Sequence, residues 1–258
     1  ELMVKDFDRL TITDDFMFCK VMQNEGLCKE LLEMILTDKI GKITALAAQY
    51  SIATYEQAKS VRFDIAVQNE KGTFYDIEMQ VADTHNLAKR MRFYQAAIDI
   101  SFLDKGYSYK KMSDSFIIFI CLFDMIGKNK PVYTFENICV EDKSICLQDG
   151  TKKIILNANA FNETDDKDLS GFLKYVKTGI VTTDFTGRIE NMIQAVKNSE
   201  QARQEYQIMS AAMMDEREKG AHQKALETAR ILKQLGDSIT KIMQVTGLTE
   251  EEVEKIHL

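Results

Sequence analysis

The chain predicts an α/β fold: a mixed sheet flanked by helices, built in the order α-β-β-β-α-β, with an α-helical extension at its C-terminal end. Three observations carry this. Residues 61–81 hold two runs that alternate between apolar and polar side chains on either side of Asn69-Glu70-Lys71-Gly72, the pattern of a β-hairpin. Phe116 to Phe123 is unbroken apolar sequence, as in a strand covered on both faces. From Arg188 onward the texture changes to helix formers almost throughout. A chain of 258 residues can bury one sizeable core and carry a smaller appendage. The core, with extra strands and a helix, is placed at 1–185 and the helical tail at 186–258.

Taken in order, residues 14–37 predict one amphipathic helix, with Phe18, Val21, Met22, Leu31, Leu32 and Ile35 near helical spacing and Thr13 or Asp14 as N-cap. Residues 40–54 fit a short strand and an irregular lead-in equally; the first strand of the core must come from here. In the hairpin, Val61, Phe63, Ile65 and Val67 share one face, and Arg62 and Asp64 the other. Tyr75, Ile77, Met79 and Val81 likewise oppose Asp76, Glu78 and Gln80. A helix from about 86 to 103 carries Arg90, Arg92, Tyr94 and Gln95, and the strand at 116–123 follows. Pro131, after the polar Gly127–Lys130, is expected to end the core. Residues 132–140 and 152–157 predict further strands, and 169–176 a short helix.

In the tail, Ile189, Met192, Ile193, Val196, Met209, Ala212 and Met213 keep an apolar stripe. Between Asp215 and Lys224 the stripe fails and Gly220 interrupts, so the helix is expected to be exposed there, kinked, or both. It resumes with Ala225, Ala229, Leu232 and Leu235, and Gly236 ends it. A continuous helix from Arg188 to Leu235 would run roughly 70 Å at 1.5 Å per residue. A core of this size cannot cover it, which predicts a bend near Gly220 or pairing with a second copy. Ser238 and Thr249 open two further short helices with helix-turn-helix-like spacing, the second through a capping box with Glu252. Three carboxylates at Glu250, Glu251 and Glu252 would meet DNA phosphates there, so self-association or a folded cap is favoured over DNA reading.

The hairpin also carries chemistry. If its loop centres on Lys71, Asp64 lies across from Glu78, and like charges directly opposite destabilise a sheet. A divalent cation relieves that repulsion, and carboxylate oxygens with water are the hard ligands that Mg²⁺ prefers. An Asp on one strand followed by Glu78-Met79-Gln80 on its partner resembles the PD-(D/E)XK nuclease core, a restriction-endonuclease-like fold. The likeness extends to the bacterial PD-(D/E)XK family transposases, the Rpn-type recombination-promoting nucleases. Asp15-Phe16-Met17-Phe18, Arg62-Phe63-Asp64, Glu78-Met79-Gln80, Arg90 with Tyr94, and Gly106-Tyr107-Ser108-Tyr109 stand in that family's order, and the tail is similar to the one the family carries.

The resemblance implies a Mg²⁺-dependent endodeoxyribonuclease, with Mn²⁺ as substitute and DNA as partner, linked to recombination or transposition. It implies Asp64, Glu78 and the Met79 carbonyl as metal ligands, Gln80 as the residue that positions the attacking water, and Asp15 as support from the first helix. Arg90, Arg92 and Tyr94 would support the site or contact DNA. Gln80 departs from the Lys of the wider superfamily but not from this family; an amide orients water without bringing charge. Arg90, Arg92 or Lys89 could supply what is missing. Each residue also has a plainer reading. Asp64 and Glu78 could be polar positions on a half-solvated sheet, and Asp15 could charge the helix start. Asp76 is read as solvated or as supporting Glu78, and Arg90 and Tyr94 as an ion pair and a half-buried ring. The alternative function is a weak or inactive nuclease fold that acts as a DNA- or protein-binding regulatory module, with a homodimer through the tail.

Composition narrows the setting. A net charge of −7 is not the footprint of a chain that coats DNA, so modest, Mg²⁺-dependent affinity is expected. No apolar run is long enough to span a bilayer, and no secretory segment opens the chain at Glu1. Cys19, Cys28, Cys121, Cys139 and Cys146 form no metal-binding pattern and read as reduced thiols of a cytoplasmic protein. The scattered His85, His222 and His257 argue against zinc and a His-centred triad.

Overall fold

The computed structural model describes residues 4–52, 60–103, 106 and 108–257. The chain divides into two units, Lys5–Ser199 and Glu200–Leu258, the second joined by the first few residues. The larger holds a six-stranded mixed sheet in the order β1-β2-β3-β4-β6-β5. Its strands are β1 (Ile43–Ile52), β2 (Val61–Asn69), β3 (Phe74–Gln80), β4 (Ser115–Cys121), β5 (Val132–Phe135) and β6 (Thr151–Asn157). β1, β2 and β3 are antiparallel neighbours, β3, β4 and β6 run parallel, and β5 closes the edge antiparallel to β6.

Helix α3 (Leu87–Phe102) crosses between β3 and β4 and buries Leu87, Met91, Ala97 and Ile98 against Phe63, Phe74, Ile117 and Phe119. The opposite side takes α1 (Asp15–Met22), α2 (Glu25–Leu36), α4 (Lys167–Thr178) and α5 (Asp184–Lys197), of which α1 lies on β1 and β2. Consecutive Ile117, Ile118, Phe119 and Ile120 of β4 are all fully buried, which is why that strand reads as continuous apolar sequence.

The structure corrects several expectations. The single helix at 14–37 is two, because the Asn24 Oδ1 accepts the Leu27 N–H at 3.0 Å and starts α2 afresh. Residues 40–54 supply a full ten-residue strand. The core does not end at Pro131: Asp124 accepts N–H groups from Ile126, Gly127 and Asn129 and the Tyr133 hydroxyl, turning the chain back into β5 and β6. The expected strand at 132–140 stops at Phe135, with an isolated bridge from Ile138 to Cys146 beyond. Tyr107 lies outside the described residues.

No continuous helix runs from Arg188 to Leu235. α5 starts earlier, at a capping box between Thr183 and Thr186, and Asn198 and Ser199 separate it from α6 (Glu200–Gln234). α6 passes through Gly220 without interruption, and residues 211–224 are exposed throughout, as the broken stripe predicts. Gly236, at a φ of 82°, donates to the Lys233 carbonyl and ends the helix. The last turns of α6 pack on α7 (Ile239–Thr246) and α8 (Glu250–Glu254) around Ala229, Ile242, Leu248, Val253 and Ile256. The Thr249–Glu252 capping box opens α8.

Candidate active site

The hairpin ladder pairs Gln68 with Phe74 and proceeds to Ile65 with Ile77. At the next position side chains take over from backbone. The Glu78 Oε1 accepts the Asp64 N–H at 2.8 Å, and the Asp64 Oδ2 accepts the Met79 N–H at 3.1 Å. Each carboxylate thus ties itself to the opposite strand where the ladder ends, and this sets the two side by side. The Glu78 Oε2 accepts from the Arg90 Nη2 at 3.1 Å, so both Glu78 oxygens are engaged. Arg90 reaches it from α3, with its guanidinium 4.6 Å above the Phe119 ring and 5.5 Å from that of Tyr94. Tyr94 is half-buried, edge-on to Phe63 at 5.3 Å. Arg92 sits two residues on, about 200° around the helix from Arg90, and is exposed.

From the other side of the sheet, the first turn of α1 brings Asp15, which pairs with the Arg62 Nη2 at 3.5 Å. Asp14, not Asp15, ties down the preceding turn, accepting the Thr11 N–H at 2.7 Å. One helical turn after Asp15, the Cys19 thiol lies 3.5 Å from its Oδ1 and 3.4 Å from the Asp64 carbonyl oxygen. Ligand atoms of Asp15, Cys19 and Asp64 all fall within 4.8 Å of one another. The Gln80 Nε2 donates to the Ala82 carbonyl at 2.6 Å.

An Asp on β2 and a Glu-x-Gln on β3, displayed at the end of a hairpin inside a mixed sheet, is the nuclease arrangement. Residues 13–235 match the family described as PD-(D/E)XK nuclease family transposase. The chain belongs to this family. No curated protein and no solved structure matches it. No helix among the described residues is long and apolar enough to cross a membrane.

For a PD-(D/E)XK transposase family member, the electrostatics of the site are its main property. Burial, and then Asp15, push the Asp64 carboxyl up to about 6. Burial, and then Asp64, push Glu78 up to about 8. Burial, and then Glu78, raise Asp76 well above the carboxylate range. The Cys19 thiol is raised by burial and by Asp15, and the Tyr94 hydroxyl by burial and by Glu78. Two guanidiniums, Arg62 and Arg90, face four carboxylates, Asp15, Asp64, Asp76 and Glu78, and neither Asp76 oxygen has a hydrogen-bond partner. Surplus negative charge on hard oxygen donors, one of them orphaned in the interior, fits a divalent cation.

The structure brings Asp15, Asp64, Glu78 and Arg90 together and places Met79 among them through its N–H; Arg92 is not part of the cluster. Asp76 corrects the reading of a solvated carboxylate. It is 0% exposed, between Ala66 of β2 and Ile117 of β4. The missed neighbours are Cys19, whose signal is its i+4 spacing from Asp15, and Asp76, whose signal is its place two before Glu78 on the same face.

Proposed function

We propose that the chain is a metal-dependent DNA endonuclease that hydrolyses phosphodiester bonds, with a place in recombination or transposition. The observation that carries this is the exchange between Asp64 and Glu78, which assembles two carboxylates of raised pKa at the end of the hairpin. Asp64, Glu78 and the Met79 carbonyl would hold Mg²⁺, or Mn²⁺ in its place. Such an ion polarises a phosphate and lowers the pKa of a bound water.

The remaining work falls to the chain's own groups. Gln80 has its Nε2 engaged on Ala82, which leaves its Oε1 to accept a proton from a water and orient it. Arg90 supplies the positive charge that the superfamily Lys would bring. Asp15 holds Arg62 beside the site, and the exposed Arg92 is placed to meet phosphates along the DNA. The protein acts in the cytoplasm, with modest affinity for DNA, as a homodimer through its helical tail.

One observation favours a second reading, a weak or inactive nuclease fold serving as a DNA- or protein-binding regulatory module: both Glu78 oxygens and the Gln80 amide are already engaged within the protein. Incubating supercoiled plasmid with the protein in Mg²⁺, in Mn²⁺ and in a chelator separates the two. The nuclease nicks it in both metals and not in chelator; the regulatory module leaves it intact in all three.

A further inference from the structure

Four buried side-chain polar atoms among the described residues have no hydrogen-bond partner: Asp76 Oδ1, Asp76 Oδ2, Arg90 Nε and Gln95 Oε1. All belong to β3 and to α3, the helix that covers it. Orphaned buried polar atoms are rare, and each such group costs free energy as it stands. Three of them are complementary, since Asp76 offers two acceptors and Arg90 a spare donor. Gln95 does not serve Asp76, because its amide Nε2 is turned to Ser115 and Asp99.

Arg90 instead spends its Nη2 on the Glu78 Oε2. This matters for the site, because Glu78 has no free oxygen: the Asp64 N–H takes the other. A cation held by Asp64 and Glu78 must find an oxygen of Glu78 released. Asp76 stands two residues back on the same face of β3, with Ile117 of β4 across from it as Phe119 is across from Glu78. The guanidinium plane lies over Phe119, so a move along β3 slides it over apolar surface.

We propose that Asp76 is a positioning residue: it receives Arg90 when a divalent cation is held at Asp64 and Glu78, and so frees the Glu78 Oε2 for that cation. This rests on the nuclease reading of the site. The transfer gives Asp76 its missing donor and Arg90 Nε its missing acceptor. It also leaves one guanidinium neutralising one buried carboxylate both before and after. The attraction of Arg90 already acts on Asp76 in this structure.

The test is a double-mutant cycle on Mn²⁺ affinity, measured by calorimetry on the full chain: wild type, Asp76→Asn, Arg90→Gln and the double variant. Asp76→Asn is expected to weaken Mn²⁺ binding about tenfold in the wild-type background, but less than about twofold where Arg90 is Gln. Equal weakening in both backgrounds means that Asp76 contributes only its charge, and overturns the proposal; so does no weakening in either. Asp64→Ala is the control. Mn²⁺ binding that survives it overturns the cation site itself, whereas binding that it abolishes while the cycle is additive overturns the Asp76 role alone. The Arg90 Nε–H resonance gives a reading without any Arg90 variant. It should shift on adding Mg²⁺ to the wild type and stay fixed in Asp76→Asn, and a resonance that moves equally in both contradicts the transfer.

Discussion

Asp64 and Glu78 hold each other's strands. The Glu78 carboxylate accepts the Asp64 N–H at 2.8 Å, and the Asp64 carboxylate accepts the N–H of Met79, the neighbour of Glu78, at 3.1 Å. The two residues that repel most strongly in this hairpin are therefore also the ones that join its strands beyond the ladder.

The first consequence is a stability cost for Glu78→Ala that its negative charge alone would not predict. The substitution strands the Asp64 N–H and leaves Arg90 without its carboxylate. Leaving buried donors unsatisfied costs about 1–3 kcal/mol. Denaturant melts should show a loss of this order for Glu78→Ala and a gain for Asp76→Asn, which removes a buried carboxylate that nothing partners. A Glu78→Ala protein as stable as the parent contradicts the exchange.

The second concerns pH. Asp64 stands at about 6 and Glu78 at about 8 in the folded, metal-free chain, both above their ordinary values near 4. Raised carboxylates contribute stability in full below their unfolded-state values, and that contribution is lost as pH rises through the folded ones. Without metal, Tm should therefore fall between about pH 5 and pH 8.5; Mg²⁺ should offset the fall, and Glu78→Gln should flatten it. Metal affinity should rise over the same window, because the ligands must ionise to bind. A metal-free Tm that rises across this range contradicts the raised carboxylates.

The third concerns Gln80. Its amide already donates to the Ala82 carbonyl at 2.6 Å, and a Lys there keeps that donor while adding charge near the phosphate. Gln80→Lys should retain or raise the cleavage rate under single-turnover conditions. A fall of tenfold or more would show that the amide oxygen itself is needed.

The fourth concerns the tail. Residues 211–224 of α6 are exposed throughout, and an uncovered helix of this kind gains from a partner. Light scattering should give the full chain twice the 29.5 kDa of one copy, and a protein ending at Ser199 a single-copy mass with its sheet intact. A full chain of single-copy mass at micromolar concentration leaves the tail as a cap.

The hairpin and the paired carboxylates were legible because side chains alternate with period two, so a loop position fixes which residues oppose each other. The breaks at Asn24 and at Asn198–Ser199 were not legible. The apolar residues Met22 and Leu27, and Val196 and Ala202, carry a stripe across each gap, while the interruption lies in the backbone. Gly220 misled in the opposite sense, since one glycine costs a helix only about 1 kcal/mol and α6 absorbs it. Alternation shows which face Asp76 occupies but not that α3 covers it. Cys19 read as core because only the tertiary fold brings it to Asp64, 45 residues away.

The central claim is that Asp64 anchors a metal-dependent nuclease, and the direct measurement is the rate at which supercoiled plasmid is nicked in Mg²⁺ by the parent protein and by Asp64→Ala purified in the same way. The account predicts nicking by the parent and a loss of about a thousandfold or more in the variant, the scale expected when a metal ligand and its electrostatic work are removed together. Equal rates for the two proteins, or no cleavage by the parent in either Mg²⁺ or Mn²⁺, would contradict it.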